Sequence, residues 1–539
     1  MRKRMIAVVL VLVLLLAMLT GCGPIRSVLD SFYEQLQNGF ATSFEDMVYT
    51  RPDTTDFSSL QAELMQQIPN ATDADDLMRS VLTLYQYYYD FSTNYYLANI
   101  HYYLDVTDIY WEEEYSWCME KSTIYSAGMD RLLYALADCP IREDLEADRY
   151  FGPDFFDMYE GESLWDDTFT ELMNQETALM DQYYELNAQT VDVEYYSEEY
   201  FTGLGAQIEE VYVDLVAIRQ EIARYAGYED YPSFAYDFYF YRDYEPEQAV
   251  SYIEQIQQEL VPMYQNLSTD VWAPMQEKCE LDQTFSYVRD CAEAMGGTAR
   301  SAFSLMETAK LYNIDYSENK YDASFEVYLM NYHSPFVFVN PSLNQGDQLT
   351  FAHEFGHFCN DYATGGAGKG IDVAEIFSQG MEYLSLCYYE GDTEDLTRMK
   401  MAESLCVFVE QSAYAWFEHE VYALEGEELT VENVRALYQQ ATQRYGFTGQ
   451  GRDAREYTLI PHIFISPMYV ISYVVSNDVA MQIYQMELTE QGSGLAAWEE
   501  GLYSLQIGLL GFVEEMEFSS PFTDGAVAKM RETLEEKLK

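Results

Sequence analysis

A mostly α-helical fold is what this chain predicts, on three observations. Only 14 prolines occur in 539 residues, so long helices can run unbroken. Apolar residues recur at i, i+3 and i+4 over long stretches, as in 82–104 and 250–261. Aromatics make up 16% of the chain, which gives a protein of this length the bulk for a substantial buried core. Strand-like patterning is confined to residues 324–329 and 336–339, which read as a pair of strands. No internal repeat, low-complexity linker or second membrane-length apolar run interrupts the helical pattern.

The first residues predict a destination. Arg2, Lys3 and Arg4 precede an apolar run from Met5 to Leu19, too short for an ordinary spanning helix. That is the layout of a secretory signal, and Leu19-Thr20-Gly21-Cys22 resembles a bacterial lipobox cut before Cys22. Residues 1–21 are therefore expected to be removed. Cys22 is expected to carry lipid that anchors the protein to the cell membrane, on the extracytoplasmic side.

Charge agrees with export. Lys+Arg number 29 against 92 Asp+Glu, a net charge of −63, which excludes nucleic acid as a partner by repulsion. Acidic runs such as Trp111-Glu112-Glu113-Glu114 read as solvated faces. Beyond Cys22 lie Cys118, Cys139, Cys279, Cys291, Cys359, Cys387 and Cys406, an odd set with no CxxC spacing. That argues against a disulfide framework or a cysteine metal site, though Cys279 and Cys291 are open to pairing.

The chemistry concentrates in His353-Glu354-Phe355-Gly356-His357, an H-E-x-x-H sequence within a predicted helix. At about 100° per residue both histidines share one face, close enough to grip one metal ion. Phe351, Phe355 and Phe358 fall on the opposite, core-facing side, and Cys359 reads as core too. Glu354 is placed to take a proton from a metal-bound water, the arrangement zinc peptidases use. Zinc needs a third protein donor. A second helical stretch, 372–384, carries Glu375, Ser378, Gln379 and Glu382 as one polar stripe, with Val373, Phe377 and Leu384 opposite. Glu375, 18 residues beyond His357 and across a glycine-rich turn, is the expected third ligand. Glu382 is better placed to hydrogen-bond one of the ligands.

These segments resemble the thimet oligopeptidase and oligoendopeptidase F family of zinc metallopeptidases. Arg219–Tyr231 (RQEIARYAGYEDY) is similar to the family's lead into its catalytic lobe, and Asn331–Asn340 (NYHSPFVFVN) to its substrate-side strand. Asp347–Cys359 carries the zinc helix, Asp372–Leu384 the glutamate helix and Pro461–Tyr473 (PHIFISPMYVISY) the histidine-tyrosine segment. The likeness is strong over about 219–480. One departure stands out: the link between His357 and Glu375 is shorter than the family's, which bears on that loop's substrate contacts more than on the ligands.

The resemblance implies two helical lobes closing as a clamshell around a deep cleft, with a small β-sheet beside the zinc site. Residues 22–230 would form the N-terminal lobe and 231–539 the catalytic lobe. It also implies one Zn2+ held by His353, His357 and Glu375, with His462 and Tyr473 stabilising the oxyanion and Tyr469 as a further candidate. A helix starting at Ser466-Pro467 is expected to put both tyrosines on one side. His333 either lines the cleft or serves the structure; His101 and His419 read as structural. The sequence thus predicts a monomeric zinc endopeptidase acting on short oligopeptides. The competing reading, a non-catalytic peptide-binding surface lipoprotein, has no use for an intact Glu354.

Overall fold

The computed structural model describes residues 42–539 apart from 148, 154, 160, 162, 190–196 and 448–452. The expected signal segment, residues 1–21, and Cys22 lie outside the described residues. The fold is mostly helical with one small mixed sheet, as the sequence predicts. Two helical lobes flank a cleft.

The N-terminal lobe is built on long helices: Ala74–Leu104, Ile109–Ala137, Asp167–Ala188 and Leu204–Tyr225. Three of them start where an aspartate accepts from the first free backbone amides: Asp73 from Asp76, Asp108 from Tyr110, and Asp166 from Phe169. The lobe's core is tyrosine-rich, with Tyr88, Tyr95, Tyr96 and Tyr115 all but fully buried. Most of the patterned stretch at 250–261 lies in the helix Pro246–Glu259, whose apolar side, Tyr252, Ile253 and Ile256, is fully buried.

The sheet runs β1 (Tyr312–Asn313), β3 (Ser334–Val339), β2 (Ser324–Leu329). β1 is parallel to β3, and β2 pairs antiparallel to it with Glu326 opposite Val337. The sequence pattern marks β2 and β3, while the two residues of β1 are too few to show a period. β3 is buried throughout, whereas Ser324, Phe325 and Glu326 of the edge strand β2 stay half-buried. Tyr103 of the N-terminal lobe stacks on Tyr321 at 4.2 Å and meets Phe325 edge-on at 5.5 Å, so the sheet is shared ground between the lobes.

Beneath the sheet lie the helices that carry the predicted chemistry, Asp347–Thr364 and Ile371–Tyr388. Phe351, Phe355 and Phe358 are fully buried on one face of the first, about 1.5–3 kcal/mol of burial free energy each. The two helices pack so closely that a Cβ at Gly356 would stand 2.5 Å from the Phe377 carbonyl oxygen. Only glycine allows that approach, and the approach brings the second helix's polar stripe to the two histidines. Cys279 and Cys291 are both buried free thiols, and Cys359 is fully buried as expected.

Candidate active site and metal centre

The helix Asp347–Thr364 turns His353 and His357 to one side, with ring centroids 5.1 Å apart. Glu375 reaches them from the second helix. Its Oε2 lies 3.4 Å from His353 Nε2 and 3.6 Å from His357 Nε2. One donor atom from each of the three residues falls within 4.8 Å of the others, the only such His/Cys/Asp/Glu group found among the described residues.

The surroundings fix the donors. His353 Nδ1 meets Glu382 Oε1 at 2.8 Å, which leaves Nε2 to face the gap. Glu382 is anchored by the buried Lys400 ammonium at 2.5 Å. Ser378 Oγ donates to Glu375 Oε2 at 2.9 Å, and Tyr469 Oη donates to Glu375 Oε1 at 3.1 Å. The whole stripe Glu375, Ser378, Gln379 and Glu382 is buried, and partners for its carboxylates come from this site.

Electrostatics follow the geometry. Burial opposes the charge on Glu375, but the His357 and His353 imidazoles and the Ser378 hydroxyl outweigh it and hold the carboxyl at about 2. Burial likewise opposes a charged His353, yet the Glu382 hydrogen bond and the Glu375 and Glu354 charges raise it to about 9. An imidazole so surrounded by carboxylates is a place for positive charge. Two imidazoles and a carboxylate, oriented by outer hydrogen bonds, are a donor set suited to a divalent metal such as zinc. The residues fit the metal.

Glu354 is 6% exposed and lines the same cavity, and burial raises its carboxyl above the ordinary range. The cavity, about 440 Å³, is bounded by both lobes: Tyr96 and Tyr103 on one side, the two histidines and His462 on the other. His462 stacks on Tyr469 at 5.7 Å, and Tyr473 meets Tyr469 edge-on at 5.0 Å. Burial lowers His462 to about 4, which leaves its imidazole neutral at neutral pH, and raises Tyr473 above the ordinary phenol.

The helix expected from Ser466-Pro467 begins later, at Ile471, after a separate short helix Pro461–Ile465. The reason is local: Met468 takes a left-handed backbone, φ 66°, which no helix can include. Tyr469 therefore sits in the turn and Tyr473 on the helix. Two fully buried arginines brace this segment. Arg219 donates to the Ile463 carbonyl and Arg242 to the Met468 carbonyl, while Glu418 accepts from the Met468 amide at 2.8 Å. Arg242 also pairs with Asp372, at the start of the glutamate helix. Long-range pairing of this kind leaves no local mark in a sequence.

The remaining histidines lie apart. His101 stacks on Trp111 at 4.2 Å, and His419 packs against Tyr236. His333, with φ 46°, turns the chain from β2 into β3 and is not among the residues lining the cavity. Two further acids line it instead, Glu326 of β2 and Asp361. Asp361 is four residues past His357, so the periodicity that paired the histidines also pointed to it.

Residues 294–498 match the sequence model of Peptidase family M3, and residues 44–163 that of the Peptidase M3 N-terminal domain. Residues 162–335 match one described as Angiotensin-converting enzyme. These matches support a metallopeptidase related to peptidase family M3. Among solved structures it is similar to PZ peptidase A with a bound inhibitor, at TM-score 0.80 and 19% identity, covering 92% of this chain and 99% of that one. A Bacillus anthracis chain solved under the name oligoendopeptidase F gives 0.76 and 21%, covering 92% and 98%. The oligoendopeptidase F of Enterococcus faecium gives 0.57 and 13%, covering 90% and 96%. At these identities the likeness is one of fold. No curated protein sequence matches the chain.

Proposed function

We propose that this protein is a zinc endopeptidase that hydrolyses short oligopeptides in the cleft between its lobes. The observation that carries the reading is the convergence of His353 Nε2, His357 Nε2 and Glu375 Oε2 beside the buried Glu354. Zinc held by those three donors would acidify a water and polarise the scissile carbonyl.

The chain's own groups supply the rest. Glu354 takes the proton of the attacking water and returns it to the leaving amine; its buried carboxyl is more basic than an exposed one. His462 and Tyr473 donate hydrogen bonds to the oxyanion that forms on the scissile carbon. A neutral imidazole and an un-ionised phenol are the forms that donate, and burial favours both. Tyr469 acts one step back, by holding Glu375. The edge strand β2 offers backbone groups to an extended peptide, which selects length and shape more than sequence.

We further propose that the mature chain begins at lipid-bearing Cys22 and works as a monomer outside the cytoplasmic membrane. Its N-terminal lobe would end near residue 230, where the catalytic lobe begins. Replacing Cys22 by Ser would then release the protein from the membrane fraction.

The enzymatic reading is tested with internally quenched peptides, with and without a chelator, beside Glu354→Gln. Cleavage by the metal-loaded wild type that stops in the chelator and in the variant is the expected result. A wild type that binds zinc and cuts no peptide in a broad library would overturn it.

A further inference from the structure

The cavity holds a second constellation that the proposed reaction does not use. Glu326 of β2 and Asp361 of the HExxH helix both line the cavity, and burial, with each acid beside the other, pushes both carboxyls above the ordinary range. Two neighbouring acids disfavour each other's charge, and a cation between them would relieve that. Glu326 Oε1 is buried without a hydrogen-bond partner. So are the hydroxyls of Tyr96 and Tyr328, 1% and 7% exposed, and the side-chain oxygen of Asn360, 4% exposed, all lining the same cavity. The amine in this lining, Lys369, donates its hydrogen bond to the Ser504 carbonyl and lies over the Phe377 ring, and acts on Asp361 through charge alone. Buried polar groups in folded proteins find partners, and a cluster of orphans along one stretch of a cleft marks where a ligand supplies them.

We infer that Glu326 and Asp361 form a recognition site for a cationic side chain, lysine or arginine, of the peptide substrate. A guanidinium or ammonium brings several N–H donors at once. It would come between the two acids and reach the idle oxygens of Glu326 and Asn360. The chain's −63 charge would draw such peptides toward it. The inference rests on the peptidase reading above and names its substrate class.

The test is a set of internally quenched peptides that differ at one position, scanned on both sides of the cut with lysine, arginine, norleucine, citrulline and glutamate. At one position lysine or arginine should raise kcat/KM about 10- to 100-fold over the neutral residues, chiefly through KM. Glu326→Gln and Asp361→Asn should each shrink that ratio severalfold, with melting curves taken to establish that the variants fold. Binding of the same peptides to Glu354→Gln reads the preference without turnover. Equal cleavage and equal binding of cationic and neutral peptides, or a preference that survives in both folded variants, would overturn the inference and leave the peptidase reading intact. Failure to cut any peptide, with the charge preference still present in binding, would sink the peptidase reading alone.

Discussion

Two stretches of one cavity lining differ in a way that separates what the protein completes by itself from what it leaves to a ligand. In the corner of His353, His357 and Glu375, the groups that orient the donors are themselves anchored. Glu382 and Lys400 stand behind His353, and Ser378 and Tyr469 behind Glu375. Along another stretch of the lining, drawn from three separate elements, Glu326, Tyr96, Tyr328 and Asn360 bury polar atoms with no partner. The first stretch is organised before anything binds. The second is unfinished until something does.

The largest effect is expected in the organised corner. Glu354→Gln keeps the shape but removes the base, so kcat should fall about 10²- to 10⁴-fold with zinc content by elemental analysis unchanged. A fall in bound metal instead would mean that Glu354 builds the corner rather than acting in it. Next comes the oxyanion pair: Tyr473→Phe, which deletes one hydroxyl, should cost about 10²- to 10³-fold in kcat with little change in KM. Glu382→Gln tests the anchoring itself. Competition with a chelator should show about 10- to 100-fold weaker zinc binding, because His353 loses the charge that orients it.

Smaller effects probe the packing behind the contrast. Gly356→Ala drives a methyl into the Phe377 carbonyl, and a thermal melt should show a loss of about 1–3 kcal/mol together with weaker metal binding. The last is pH-linked. Burial lifts Glu418 from its ordinary 4.5 to about 8. A carboxyl raised in the folded state stabilises the fold fully below about pH 4.5, and that contribution drains away as pH rises to about 8. Glu418→Gln still accepts from Met468 and removes the drain, so its Tm should gain on the wild type between pH 5 and 8. Parallel profiles would show that Glu418 is not the group responsible.

The organised corner was also the legible one. His353 and His357 are one helical turn apart and Glu375 and Glu382 two, so the common face of each pair follows from geometry, and the phenylalanines opposite the histidines fix which way theirs looks. What supports them was not legible. Lys400, Arg219, Arg242 and Glu418 come from distant segments, and only tertiary packing reveals their partners. The start of the tyrosine helix was misread because Met468 adopts a backbone that its composition does not advertise. Asp361 lay within reach of the same periodic argument, but Glu326 gains meaning only from the β2–β3 register that turns it toward the cleft.

The most direct test of the whole account is anomalous diffraction at the zinc edge from crystals of the zinc-loaded protein. One peak should appear about 2.0–2.2 Å from His353 Nε2, His357 Nε2 and a carboxylate oxygen of Glu375. A fully loaded crystal with no peak between those three atoms, or with the metal bound elsewhere, would contradict it.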